Sequence, residues 1–299
     1  MLAIKIDNLN KSYNKIKVIS DLSFEVPENC ICGFLGPNGA GKTTTFKLLT
    51  NLTNKESGNI EIFGKKVKGN EMSNDIRFLQ DVPEFYNYMN ATEYLKFICK
   101  INELKDIDKK IKDTLELVGL SDVKNKRIGK YSRGMKQRLG IAGSIIPKPK
   151  ILLLDEPISA LDPIGRKEIF ELLSKLRGKM TIVFSTHIID DIERVSDKII
   201  IINKGKKVLD GSVSELKAKH LTNIIEIKFE NPKDLNKFKK TFNKNIEFEV
   251  DGEKLKFKIE SLDCQTEIFR ILNKEKINIL GFNVLIPTLE EIFMDEVKK

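Results

Sequence analysis

No stretch of this 299-residue sequence approaches the roughly 20 consecutive apolar residues that a membrane-crossing helix requires. The first residues, Met-Leu-Ala-Ile-Lys-Ile-Asp, lack a basic segment followed by an apolar one, so no secretory signal is expected. Together these absences predict a chain that stays in the cytosol unless a partner holds it at a membrane. Cysteine is scarce and scattered, at positions 30, 32, 99 and 264. Cys30 and Cys32 have the spacing neither of a zinc pair nor of a C-x-x-C redox motif. On one side of a strand, they read as buried free thiols in a reducing compartment. Aromatic residues make up 7% of the chain and do not interleave with a basic stripe. The net charge of +9 therefore does not by itself select among nucleic acid, anionic lipid and nucleotide. That charge is unevenly placed: residues 221–299 hold 14 Lys and Arg against 15 Asp and Glu, and the first 220 hold 38 against 28. The composition is otherwise that of an ordinary globular protein, and the length suggests two domains.

What is present centres on one loop. Gly36, Pro37, Asn38, Gly39, Ala40, Gly41, Lys42, Thr43 and Thr44 fit G-x-x-x-x-G-K-[ST]. The short apolar run Cys30–Leu35 before it reads as a buried strand, and Thr45–Thr50 after it as the first turns of a helix. Glycines let backbone N–H groups approach phosphate oxygens closely, and a helix N-terminus adds unpaired donors and partial positive charge. In this pattern Lys42 reaches the β- and γ-phosphates and the Thr43 hydroxyl completes a Mg²⁺ shell.

Along the chain, residues 2–7 and 22–26 alternate apolar and polar as edge strands do, with Tyr13 in a polar turn between them. Residues 56–64 predict a turn and strand, and 76–83 a strand ending at Pro83. Apolar spacing predicts helices over 92–101, with Thr92 near the cap, and over 107–118, stopped by Gly119. Ser132 and Gly134 form a small-residue loop before a helix over 135–146 that Pro147 and Pro149 end. A serine hydroxyl with backbone amides at a helix start is a second phosphate-binding geometry; an N-capping serine is the other reading.

Ile151–Leu154 reads as a buried parallel strand ending in Asp155 and Glu156. Carboxylates at such a strand end face the ligand crevice of an open α/β sheet. Asp155 suits Mg²⁺ and Glu156 suits the polarisation of an attacking water. His187, one of two histidines, ends the strand over 180–186. Residues 198–203 and 206–209 read as a hairpin.

In this order the motifs over residues 2–220 resemble the ATP-binding cassette (ABC) ATPases, the nucleotide-binding subunits of ABC transporters. The resemblance implies a P-loop NTPase cassette with a RecA-like core, an antiparallel β subdomain and a helical subdomain over about 85–148. It makes Gly36–Thr44 the Walker A loop, Asp155 the end of Walker B, Glu156 the general base, Ser159–Asp162 the D-loop, His187 the switch histidine and Tyr13 the aromatic that stacks on adenine. Tyr131–Gln137 corresponds to the signature, usually L-S-G-G-Q, but carries Tyr131, Arg133 and Met135 where the family differs. At the Q-loop position the sequence has Asp81, with Gln80 one residue early. The implied cofactors are ATP and Mg²⁺, and the implied dimer sandwiches each ATP between Walker A of one cassette and Ser132 and Gly134 of the other.

The tail, residues 221–299, reads β-α-β-β-α-β: strands over 223–230, 246–250, 255–260 and 277–286, helices over 234–242, 263–273 and 289–297. That order predicts a small ferredoxin-like α+β module. Its end, Pro287 to Phe293, resembles the tail of exporter ATPases whose partners are separate ABC-2-type membrane subunits, which implies a place at the cytoplasmic face of the membrane. A soluble ABC ATPase working on nucleic acid or ribosomes is the competing expectation. Such relatives carry two cassettes or a long coiled coil, and neither fits a single Walker A with Ser132 only 90 positions after Lys42, so no nucleic-acid partner is expected. A module that binds ATP without turnover is a third reading, and Glu156 argues against it.

Overall fold

The computed structural model describes residues 1–67, 73–219, 224–242, 246–259, 263–285 and 288–298. Two compact units, Met1–Val213 and Ser214–Lys299, divide the chain. The first unit opens on β1 (Leu2–Tyr13) and β2 (Ile16–Pro27), continues through β3 (Ile31–Leu35) into α1 (Lys42–Leu49), and returns through β4 (Ser57–Ile62) and β5 (Lys65–Lys66). After β6 (Ile76–Leu79) come three helices, α2 (Ala91–Ile101), α3 (Ile107–Leu117) and α4 (Arg133–Ile145). The chain then alternates β7 (Ile151–Leu154), α5 (Pro163–Leu176), β8 (Thr181–Thr186), α6 (Ile189–Val195), β9 (Lys198–Asn203) and β10 (Lys206–Gly211).

Strands β2-β1-β4-β5 form an antiparallel sheet, and β10-β9-β3-β8-β7-β6 form a second sheet that is parallel except at β10. β3, β7 and β8 are buried at every residue, as strands covered on both faces must be. Phe34 of β3 joins the two sheets' core, its ring 5.4 Å from Phe24 of β2 and 5.7 Å from Phe46 of α1.

Several expectations shift. β1 is an inner strand, paired with both β2 and β4, so of these first two strands β2 alone lies at an edge. Tyr13 is the last residue of β1 rather than part of a long turn, because Asn14 and Lys15 alone reverse the chain, with φ of 47° and 68°. Two left-handed residues are what a tight hairpin matched to strand twist requires. β6 ends at Leu79, short of Pro83. Helix α2 is capped by Asn90, not Thr92: Asn90 accepts from the Glu93 N–H and Glu93 accepts from the Asn90 N–H, a capping box stabilising by about 1 kcal/mol. Gly119 stops α3 with φ of 65°, in the left-handed conformation a helix end favours.

The second unit takes up α7 (Val213–Lys219) from its second residue and runs β11 (Ile224–Phe229), α8 (Pro232–Thr241), β12 (Phe248–Asp251), β13 (Lys254–Lys258), α9 (Asp263–Lys274), β14 (Ile279–Leu285) and α10 (Leu289–Lys298). Its boundary falls at Val213, ahead of the expected 220, because α7 groups with the C-terminal sheet's unit rather than with the first. The expected boundary itself and the strand ends Asn223, Glu260, Ile286 and Pro287 lie outside the described residues. The sheet is antiparallel in the order β12-β13-β11-β14, which is the ferredoxin-like arrangement. Phe229, Phe238, Phe242 and Phe257 pack its core, with ring centroids 5.2–5.5 Å apart for three of the pairs.

All four cysteines are free. Burial, together with the charge of Asp197, pushes the Cys30 thiol up to about 11, and burial raises the Cys32 thiol well above its ordinary value. Alkylation requires the thiolate. At pH 8 a group titrating near 11 is about one part in a thousand thiolate, against roughly a quarter for an ordinary cysteine. Iodoacetamide at pH 8 should therefore leave Cys30 and Cys32 unmodified on a timescale that labels both within minutes once the protein is unfolded, as peptide mass mapping will read.

Candidate functional site

The C-terminal ends of β3, β6, β7 and β8 lie together, because parallel pairing in register sets Leu35 beside Thr186, Leu154 beside Phe184 and Leu79 beside Leu154. The next residues of each strand are Gly36, Asp81 by way of Gln80, Asp155 with Glu156, and His187. A cleft of about 300 Å³ opens there, lined by Val18, Asn38, Gly39, Gly41, Lys42, Thr43, Thr44, Asp81, Asp155 and Glu156. A larger opening, about 490 Å³, lies at the other end of the same strands, beside Lys150 and Thr181. It carries none of the phosphate-binding pattern, so chemistry rather than volume selects the smaller cleft.

The loop geometry explains its glycines. A Cβ on Gly36 would stand 2.5 Å from the Ile202 carbonyl, and Gly41 adopts φ of 104° where a Cβ would strike Ile19 at 2.6 Å. Gly41 offers no side chain to cap α1, and no acid occupies its first turn. The first amides of α1 are therefore left for an external anion.

Lys42 is 6% exposed. Its Nζ donates to the Gly36 carbonyl at 2.7 Å and the Pro37 carbonyl at 3.3 Å, and stands 3.2 Å from Glu156 Oε1. That last approach is a charge contact; Oε1 is buried and has no aligned hydrogen-bond donor among the described residues. The other oxygen, Glu156 Oε2, is 3.0 Å from His187 Nδ1. Glu156 itself has φ of 44°, a left-handed conformation that costs a non-glycine residue about 1–2 kcal/mol.

Asp155 is 3% exposed and fully engaged: Thr43 Oγ1 donates to Oδ2 at 2.6 Å and Ser185 Oγ donates to Oδ1 at 2.6 Å. Ser185 also accepts from the Glu156 N–H at 2.9 Å, so one hydroxyl orients both carboxylate residues. The sequence carries no signal for Ser185, which sits in an ordinary apolar strand. The Thr43 hydroxyl and the Asp155 carboxylate are hard oxygen donors in contact, the donor type magnesium selects. Among the described residues no cluster of three or more His, Cys, Asp and Glu forms a metal site.

Asp81, not Gln80, reaches the cleft wall. Gln80 is exposed and turns its amide back onto the Val82 carbonyl at 3.1 Å. Asp81 Oδ1 accepts from Ser159 Oγ at 2.7 Å. Tyr13 is 42% exposed, with Lys11 Nζ 4.8 Å from its ring centroid and its hydroxyl 3.4 Å from Thr53 Oγ1; it lies outside the cleft lining. Ser132 caps α4, accepting the Met135 N–H at 3.2 Å, which leaves its own proton available to donate. A Cβ on Gly134 would meet nothing closer than 3.8 Å, so nothing inside this unit requires glycine there. Both residues stand apart from the cleft of their own chain. Asp162, in the same loop as Ser159, caps α5 through the Gly165 N–H at 2.9 Å.

This geometry has known counterparts. The profile of the family described as "ABC transporter" matches residues 19–159, and that of "ATP-binding protein DrrA1-3-like, C-terminal domain" matches 211–297. The chain is 42% identical over 226 residues to the uncharacterized ABC transporter ATP-binding protein YxlF of Bacillus subtilis, covering 75% of this chain and 76% of the relative. It is 42% identical over 223 residues to the bacitracin transport ATP-binding protein BcrA of Bacillus licheniformis, covering 73% and 72%. Among solved structures, cbiO1 from Clostridium perfringens, part of the cbiONQ ABC transporter complex, superposes with a TM-score of 0.67 at 26% identity, over 73% of this chain and 91% of that one. The chain belongs to the ABC transporter ATP-binding family, whose cassettes bind and hydrolyse ATP.

Proposed function

We propose that this chain powers export through a separate ABC-2-type membrane subunit at the cytoplasmic face of the membrane, working as a pair of cassettes that close on ATP. The observation that carries the reading is the chain of contacts Lys42–Glu156–His187 beside Thr43–Asp155–Ser185 at one end of a parallel sheet. The backbone of residues 36–44 and the Lys42 ammonium hold the phosphates, and Tyr13 stacks on the adenine. Thr43 and Asp155 hold Mg²⁺, which supplies charge neutralisation to the phosphates. Glu156 takes the proton of the attacking water, and His187 fixes the orientation of that carboxylate. Ser132 and Gly134 serve the second copy's nucleotide, in keeping with a glycine that its own chain does not need. In such phosphoryl transfer, positioning and electrostatics do most of the catalysis.

No helix among the described residues is long and apolar enough to cross a membrane. One feature favours a membrane partner. Tyr86, Tyr88 and Phe97 form an exposed aromatic cluster, with Tyr86 5.7 Å from Tyr88 and 6.3 Å from Phe97. Clustered exposed aromatics are what a protein interface buries. BcrA is described as a transport protein for bacitracin, and the DrrA-like match extends the likeness into the second unit.

Glu156→Gln should bind ATP, lose hydrolysis by about a hundredfold or more as removal of a general base does, and elute as a dimer on gel filtration only with ATP. An active, monomeric variant would refute the assignment of the base. Ser185→Ala removes a hydrogen bond to a charged group, a loss of about 1.5–3 kcal/mol; kcat should fall roughly ten- to a hundredfold while the fold, followed by thermal unfolding, persists. Affinity purification from native membranes in gentle detergent should bring down a multi-span membrane protein in stoichiometric yield. Ribosomal or nucleic-acid material without such a partner would reject export and leave the ATP site standing.

A further inference from the structure

The two positions at which the motifs depart in charge from the family pattern, Asp81 and Arg133, face each other. Arg133 Nη2 lies 3.7 Å from Asp81 Oδ1, the same oxygen that accepts the Ser159 hydroxyl at 2.7 Å. One carboxylate thus ties together the loop after β6, the first turn of α4 and the loop after β7. Arg133 is half exposed, and among the described residues its guanidinium has no second ion pair or hydrogen bond. Within its own chain, meeting Asp81 is the task the described residues show for it.

The charge of the cleft says what that task is. Asp81, Asp155 and Glu156 line it with three carboxylates, and Lys42 is the single cation in the lining. A nucleotide brings several more negative charges to this place. Thr43 and Ser185 donate to Asp155, and Lys42 and His187 meet Glu156, but Asp81 has only a neutral hydroxyl and Arg133. We propose that Arg133 is a positioning residue for nucleotide binding: it neutralises Asp81 and, with Ser159, holds that carboxylate so that the cleft accepts a polyphosphate. The inference rests on the nucleotide reading of the cleft. It explains why an arginine is compatible with the signature here: the charge at 133 answers the charge at 81. Because both side chains are about half exposed, the effect is that of a surface pair, modest and screened by salt.

The test is a double-mutant cycle on the full chain, read by the affinity for a fluorescent ATP analogue with magnesium and by the KM and kcat of ATP hydrolysis. Arg133→Gln should weaken binding about two- to fivefold, the range of an exposed ion pair, with the loss falling on KM. Arg133→Lys should keep most of the affinity. The loss should shrink as salt rises from about 0.1 M toward 1 M, where the screening length drops from about 10 Å to 3 Å. In an Asp81→Asn background, Arg133→Gln should have no further effect. Unchanged affinity in Arg133→Gln overturns the proposal, as does a loss that salt leaves intact or that is equally large without the Asp81 charge. Wild-type protein that binds no nucleotide instead overturns the reading of the cleft, and this inference with it.

Discussion

A lysine ammonium held at 6% exposure has to be answered by its surroundings, and most of the site follows from that requirement. Two carbonyls of its own loop and the Glu156 carboxylate surround Lys42. Those carbonyls come within reach because residue 36 has no Cβ to collide with Ile202. Glu156 comes within reach because it accepts a left-handed backbone, held by the Ser185 hydroxyl on its N–H. A buried ion pair is weak evidence for stability, since an apolar pair of the same volume often does as well. Strained backbone, buried charge and a helix start without a cap, all converging at one sheet end, are instead the mark of a place kept for a ligand.

Much of this was readable in the residues before the fold. The loop 36–44 follows a strand and opens a helix, and acids stand at the end of an apolar run, because parallel strands buried on both faces leave their chemistry to their ends. Ser185 was hidden by the same rule: within Thr181–Thr186 its hydroxyl looks like one more small buried side chain, and only the register of β8 beside β7 turns it toward Asp155. The Asn14–Lys15 turn was invisible because it reaches the left-handed region without glycine. Helix α5 is legible too, though not assigned above: Ile169, Leu172, Leu173 and Leu176 have helical spacing, and the helix begins with Asp162 and Pro163, a cap and a first-turn proline. Ser132 is a cap by its lone pair, and its proton is left over for the phosphate-binding reading.

The second unit differs in what its residues disclose. Its β-α-β-β-α-β order was legible from alternation and turn residues, and the sheet order β12-β13-β11-β14 follows from the right-handed crossovers that such an order demands. Fold alone gives it no activity. Its aromatic core of four phenylalanines makes it a body with its own packing, where loss of one ring costs about 3–5 kcal/mol. Changes confined to that core therefore act on this unit's folding and leave the chemistry of the first unit to be judged separately.

The segment between Asp81 and Asn90 connects the cleft to the exposed aromatics, and its two attachments differ in kind. At the cleft end Asp81 meets Arg133 across a half-exposed ion pair, worth about 0–1 kcal/mol. At the far end the Asn87 and Met89 carbonyls accept the Gly129 and Ile128 N–H groups at 3.1 and 2.8 Å, and Tyr86 packs edge-on against Phe97 of α2. Two backbone hydrogen bonds at about 0.5–1.5 kcal/mol each, with an aromatic contact of similar size, are comparable with the cleft end, where Asp81 also accepts the Ser159 hydroxyl at 2.7 Å. Both ends join the same stretch, residues 128–133, so the segment and that stretch form a closed loop. The two ends differ in kind: the Asp81 end is held through a carboxylate, open to the field of any charge in the cleft, and the far end through backbone hydrogen bonds and aromatic contact.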